Sequence, residues 1–199
     1  EQDLAHKPGR LTMEEDASLP LVALTAWQAL VEKGRLQRGE KVFIQAGSGG
    51  VGTIAIQLAK HLGATVATTT SASNVELVRR LGADVVVDFR TEDFEQKLRD
   101  YDLVLHSQDG RALDKSLRVL RRGGRLVSIS GPPDPAFADQ LGAPWFVRLF
   151  MALASFGTRR KAKRLGVAFA FLFMRASGEQ LRSLAELVDA GVIHPVVDR

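Results

Sequence analysis

The chain has 199 residues, 45% hydrophobic and 25% charged, with a formal net charge of +4 and a pI near 9.7. That is the composition of a globular protein able to bury a sizeable core, not of a disordered or fibrous one. The absence of cysteine excludes disulfides, thiolate chemistry and metal sites built on sulfur, and His6, His61, His106 and His194 are scattered without ligand spacing.

From the N-terminus, Glu14 to Lys33 reads as one helix, with Ala23, Leu24, Trp27 and Leu30 at helical spacing. Gly34 and Gly39 mark a loop. A strand over Lys41–Gln45 meets a glycine-rich turn and then a helix from Val51 to Leu62, with Ile54, Ile56, Leu58 and Ala59 inward and Gly63 as its stop. A strand over Ala64–Thr69 and a helix over Val75–Leu81 follow, ended by Gly82. The unbroken apolar run in Asp84–Asp88 predicts a strand buried on both faces. Helix Glu92–Arg99 comes next. Strand Leu103–His106 then leads through a polar turn to helix Leu113–Leu120, and strand Arg125–Ser130 ends at Gly131-Pro132-Pro133.

Beyond Pro135 the pattern loosens. Pro144–Phe156 is strongly apolar, too short to span a bilayer, and followed by the basic run Thr158–Arg164. It superficially resembles a membrane-surface helix, but packing over a ligand mouth or against a partner subunit is the commoner fate of such a segment. Val167–Met174 has uninterrupted strand character. It reads as a homodimer seam, or equally as an inner strand covered by its own chain. Glu179–Ala190 is a last amphipathic helix, and Val192–Val197 begins another strand. This alternation predicts an α/β fold: a doubly wound parallel sheet (Rossmann fold) with helices on both faces, right-handed crossovers and a ligand crevice at the carboxyl ends of the strands.

The turn after the first strand is the most informative feature. Gly47, Gly49 and Gly52 spell G-x-G-x-x-G between a strand and a helix, the context that makes the motif specific for a dinucleotide. Gly47 is expected to allow the tight turn, Gly49 the approach of main chain to pyrophosphate, and Gly52 the packing of helix on strand. The helix N-terminus then offers unpaired N–H groups and about half a positive charge. An acid about 20 residues further on holds the ribose 2′-hydroxyl in NAD-specific folds. Here the second strand ends Thr69-Thr70-Ser71-Ala72-Ser73-Asn74, with no acid before Glu76 and with Arg79, Arg80 and Arg90 near in sequence. NADPH is therefore the expected cofactor, although Thr69 to Ser73 also suit a helix cap.

The tips His106-Ser107 and Ser130-Gly131 should flank the nicotinamide half of the crevice. His106 is either a donor to the cofactor or a strand-end histidine satisfied by backbone, and is not assigned as a general acid. The basic runs at Arg118–Arg125 and Arg159–Arg164 suit a solvated face that attracts a polyanionic cofactor. No nucleic-acid partner is expected, since no recognition motif or base-stacking set is present. No signal peptide or 18-residue apolar segment is present, so a cytoplasmic protein without a membrane partner is expected.

The ordered set Leu19-Pro20-Leu21-Val22-Ala23-Leu24-Thr25-Ala26-Trp27, Ala46-Gly47-Ser48-Gly49-Gly50-Val51-Gly52, Gln57-Leu58-Ala59-Lys60 and Leu81-Gly82-Ala83-Asp84, with the Arg122-Gly123-Gly124-Arg125 turn, resembles the medium-chain dehydrogenase/reductase superfamily. Its zinc-independent quinone oxidoreductase branch, which includes zeta-crystallin, is the nearest match. The resemblance implies a homodimer that uses NADPH to reduce a quinone or another conjugated carbonyl compound. The alternatives are an enoyl or enone reductase and a non-catalytic NADPH-binding sensor or structural protein. By position, Ser48, Gly49, Gly50 and Val51 would meet the pyrophosphate, and Thr69, Ser71 and Asn74 the 2′-phosphate.

Three departures stand out. Phe89 replaces a frequent Tyr, Asn74 lies where Lys is common nearby so that the phosphate grip is expected either to be weaker or to lean on Arg90, and His106-Ser107-Gln108-Asp109 replaces an Asp-Thr-Val-Gly-like turn. The resemblance also implies that residues 1–13 are a tail from a separate catalytic domain, 14–192 the nucleotide-binding domain, and 193–199 the start of a return to the catalytic domain. No catalytic side chain and no metal ligand is expected within the span.

Overall fold

The computed structural model describes residues 2–197. Six strands, β1 Lys41–Ile44, β2 Thr65–Thr70, β3 Val85–Asp88, β4 Tyr101–His106, β5 Leu120–Ser128 and β6 Ala168–Phe171, form one sheet in the order β3-β2-β1-β4-β5-β6. Every pairing is parallel. The order reverses between β1 and β4, the topological switch point at which ligands enter doubly wound sheets.

Successive side chains on each strand feed two separate cores, as the period of two requires. Val42, Ile44, Val66, Leu103, Leu105 and Val127 point to one face, where they meet α2 (Pro20–Trp27), α3 (Gly50–His61) and α9 (Gly178–Asp189). Phe43, Ala67, Val104 and Leu126 point to the other, under α6 (Gly110–Val119) and α8 (Trp145–Leu165). The inward residues predicted for α3, Ile54, Ile56, Leu58 and Ala59, are all fully buried. Gly63 and Gly82 close α3 and α4 (Val75–Arg80) with φ of +83° and +110°, values that cost glycine nothing.

Several sequence expectations are corrected. The helix over Glu14–Lys33 is divided into α1 (Met13–Ala17) and α2, which continues as a π-type turn over Gln28–Lys33. Pro20 stands at the first position of α2, where its missing N–H and its ring break continuity with the turn before it. The helix over Glu92–Arg99 shortens to α5 (Phe94–Lys97). β3 is not buried on both faces: it is an edge strand, and Val85 is 38% exposed. The strand over Val167–Met174 shortens to β6, the opposite edge of the sheet, so it is not an inner strand. No strand forms over Val192–Val197, and residues 1, 198 and 199 of the expected terminal tails lie outside the described residues.

A short helix α7 (Pro135–Gln140), which no periodicity announces, follows β5. Buried Asp134 caps it, accepting from Phe137 N (3.0 Å), and also accepts from Phe171 N (3.0 Å), tying α7 to the end of β6. The apolar segment at Pro144–Phe156 extends into the basic run to form the single 21-residue helix α8. Rather than sealing a mouth, it leaves Trp145, Phe146, Leu149, Phe150, Leu153 and Phe156 exposed. Among the described residues, no helix is long and apolar enough to cross a membrane.

Candidate functional site

The glycine turn divides its labour between fold and crevice. Gly47 and Gly52 are buried, whereas Gly49 and Gly50 are exposed. A methyl group on Gly52 would overlap the Ala46 carbonyl and lie 2.7 Å from Gly47 Cα, so helix α3 seats on the turn only because Gly52 has no side chain. A Cβ on Gly47 would overlap the Thr68 side chain of β2. The tight bend itself falls on Ala46, whose φ is +51°, and not on Gly47. Gly47 is needed for close packing instead of a left-handed turn, a strain that sequence spacing gave no means of placing.

Gly49 is different. Its φ of −79° suits any residue, and an added Cβ would meet only the Ala46 carbonyl, at 3.3 Å. It is bare on the crevice side. The first helical bond at this end runs from Thr53 N to Gly49 O (2.9 Å). The N–H groups of Gly50, Val51 and Gly52 therefore have no helical carbonyl, and an anion held there gains from them and from the helix dipole.

The crevice at this turn is lined by Gln45, Ala46, Gly49, Gly50, Val51 and Gly52 on one side and by Leu105, Ser107, Gln108 and Ile129 on the other. These are the carboxyl ends of β1, β4 and β5, brought together across the switch point. Gln45 was not singled out by sequence, though a polar residue closing an apolar strand is the signal that marks it. Its buried amide donates to Ser116 Oγ (2.8 Å) and accepts from Ser107 N (3.2 Å), which fixes the β4 turn beside the glycines. Ser130 Oγ donates to Gln108 O (2.7 Å), and Ser128 Oγ to Gly131 O (2.6 Å), linking the β5 tip to the same turn.

At the other end of the crevice the structure separates the expected phosphate donors. Thr69 is buried, and its hydroxyl and carbonyl accept from Ala46 N (3.1 Å) and Gly47 N (2.9 Å). It holds the turn rather than facing outward. Ser48 accepts from Thr70 Oγ1 (2.9 Å). Ser71 lies at the end of β2, its hydroxyl 2.9 Å from that of exposed Ser73, and Asn74 closes the short turn Ala72–Asn74. The β3 tip adjoins them through Phe89 N to Thr70 O (3.2 Å). This brings exposed Arg90, its guanidinium 5.8 Å from the Phe89 ring centroid, to the same corner. No carboxylate occurs between Thr65 and Val75.

His106 is 1% exposed and sealed behind the crevice wall, and its Nδ1 has no hydrogen-bond partner among the described residues. The expected backbone satisfaction of a strand-end histidine is met only in part: a Gln108 backbone group reaches the ring, while Nδ1 stays unpaired. Burial pushes its pKa down from 6.5 to about 4, while a Gln108 backbone hydrogen bond and the Asp109 charge pull the other way. The unfolded chain takes up this proton more readily than the folded one, so stability falls as the pH drops from about 6.5 toward 4. Urea melts at pH 7 and pH 5 are expected to reveal that loss, and His106→Phe to flatten it.

The chain has no cysteine, and among the described residues no group of three His, Asp or Glu side chains stands close enough to hold a metal. The described residues offer no ligand set that fits a zinc ion.

A family profile described as zinc-binding dehydrogenase matches residues 81–199. The mouse protein "NAD(P)H oxidoreductase RTN4IP1, mitochondrial" is 38% identical over 99% of this chain and 52% of its own length. The quinone oxidoreductase structure from Coxiella burnetii superposes with a TM-score of 0.80 at 30% identity, covering 98% of this chain and 55% of that one. The CurK enoyl reductase structure gives a TM-score of 0.80 at 26% identity, covering 98% and 57%. The chain thus spans about half the length of the relatives it matches. With the parallel sheet, the switch-point crevice and the glycine turn, these matches lead to one conclusion: the chain belongs to the zinc-binding dehydrogenase family of the medium-chain dehydrogenase/reductase superfamily.

Proposed function

We propose that this chain is the NADPH-binding part of a zinc-independent oxidoreductase that delivers hydride to a quinone or another conjugated carbonyl compound. The observation that carries the reading is the bare turn at Gly49 and Gly50, open to a crevice at the N-terminus of α3. Gly50, Val51 and Gly52 N–H groups would hold the pyrophosphate, and Ser71, Asn74 and Arg90 the 2′-phosphate. Ser107 and the β5 tip at Ser130 and Gly131 would stand beside the nicotinamide, with His106 shaping the wall behind.

The cofactor supplies the hydride, and the protein supplies orientation and exclusion of water. Good placement alone is worth about 7–11 kcal/mol of barrier, so the chemistry needs no acid–base pair in this span. The similarity to an NAD(P)H oxidoreductase and to a quinone oxidoreductase favours NAD(P)H and a quinone. The CurK likeness favours an enoyl thioester as the second reading, and substrate turnover separates the two. We further propose a homodimer through the Val167–Met174 segment, whose β6 is an unpaired sheet edge among the described residues.

Calorimetric titration of the cofactor-free protein tests the cofactor assignment. NADPH is expected to bind at least about tenfold more tightly than NADH, the yield of one or two hydrogen bonds to a charged phosphate. Equal affinities would overturn it.

A further inference from the structure

The outward face of α8 is a large exposed surface that the cofactor reading leaves unused. Phe146, Leu149, Phe150, Leu153 and Phe156 recur three or four residues apart and continue in the same register into Arg160, Lys163 and Arg164. They form one stripe along one side of the helix. The side facing the protein carries Met151, buried Ser155, Thr158 and buried Ala162, a row of mostly small residues that lets α8 lie flat on the sheet layer. Trp145 is 76% exposed, Phe150 70% and Leu153 68%, a density of free aromatic and aliphatic surface that marks an interaction site.

Charge narrows the occupant. Residues 145–165 contain six Lys and Arg side chains and no Asp or Glu. Arg148 pairs with Asp139 and Lys161 with Asp114, while among the described residues Arg159, Arg160, Lys163 and Arg164 have no carboxylate partner. A second copy of the chain would bring the same uncompensated cations to the contact. A bilayer surface with anionic headgroups complements both halves at once, taking the aromatic half at the acyl boundary and the basic half among the phosphates.

We propose that the outer face of α8 docks the protein peripherally on membranes containing anionic lipid, which revises the expectation of no membrane partner. The proposal is independent of the cofactor and substrate assignments.

The test uses the full-length protein with every tryptophan other than Trp145, Trp27 included, replaced by Phe, so that Trp145 is the reporting indole, and vesicles of phosphatidylcholine with or without phosphatidylglycerol. Binding and a blue shift of Trp145 emission are expected only with phosphatidylglycerol. Arg160→Gln with Lys163→Gln is expected to weaken binding roughly 30-fold, at about fivefold per charge near an anionic surface. Phe150→Ser is expected to weaken it roughly tenfold or more by removing buried aromatic area while keeping every charge.

Four results would overturn the proposal: no binding to the anionic vesicles, binding indifferent to Phe150→Ser, Trp145 shielded from acrylamide in the vesicle-free full-length protein, or a dimer that Phe150→Ser dissociates. The third assigns the face to the rest of the chain, and the fourth to a second copy.

Discussion

Gly52→Ala is expected to cost about 3 kcal/mol or more of folding stability, whereas Gly49→Val is expected to leave the fold nearly intact and abolish cofactor binding. The two glycines belong to one motif but answer to different physics. At Gly52 the added methyl meets main chain on the Ala46 carbonyl and Gly47 Cα, and main chain cannot rotate away as a side-chain tip can. Overpacking of that kind costs about 1–3 kcal/mol where side chains can give way and more where they cannot. Against a typical total of about 5–15 kcal/mol the loss will be visible in any urea melt.

At Gly49 the backbone is extended and the nearest obstacle, the Ala46 carbonyl, is 3.3 Å from the new Cβ, so the folded state accepts the substitution. The valine methyls would instead stand where the pyrophosphate must touch N–H groups. Loss of one such charge-assisted bond is worth about 1.5–3 kcal/mol, so a drop of about 100-fold or more in NADPH affinity is expected by titration. A Gly49→Val protein that binds as tightly as the parent would place the pyrophosphate elsewhere, and a stable Gly52→Ala protein would refute the packing argument.

The sheet was legible because its central strands are short apolar runs set between turn residues, the pattern of strands covered on both faces. Lys41 to Ile44 and Tyr101 to His106 carry apolar runs bounded by glycine or polar turns, and α3 carries a helical apolar stripe ended by Gly63. The edge position of β3 was not legible. Val85, Val86 and Val87 look alike in sequence, but neighbour order decides their exposure, and order is a property of the whole sheet.

The candidate site divides along the same line. Which glycines occur, and the lack of an acid after β2, follow from local spacing. Ala46 in a left-handed conformation, Thr69 turned into the glycine loop and Gln45 bridging Ser107 to Ser116 depend on segments far apart in sequence. Helix α8 resisted a sequence reading for a further reason. Its apolar and basic residues are segregated along the axis as well as around it, so a periodicity argument sees two segments where the backbone makes one helix.

Ser71→Asp is expected to reverse the cofactor preference, by about 100-fold in the ratio of NADPH to NADH affinity. Ser71 follows the last residue of β2, 19 positions beyond Gly52, where dinucleotide folds that select NAD hold their acid. Its hydroxyl sits 2.9 Å from that of Ser73 on an exposed turn, so a slightly longer side chain has room. A carboxylate there accepts from the ribose hydroxyls of NADH, and it replaces a donor to the 2′-phosphate with a like charge. Each change is worth about 1.5–3 kcal/mol for a hydrogen bond to a charged group, so the lower bound for the two together, about 3 kcal/mol, already gives a factor of about 100 or more.

Arg90→Ala separates attraction from repulsion. It removes a cation that is exposed and screened, so NADPH affinity should fall only about three- to fivefold, with NADH unchanged. Ser71→Ala controls for the loss of the hydroxyl alone. If Ser71→Asp altered neither affinity while Gly49→Val abolished both, the pyrophosphate would stay at the glycine turn but the adenosine ribose would lie away from β2. Selectivity would then have to come from Phe89, Arg90 and the start of α6, the other wall of that corner.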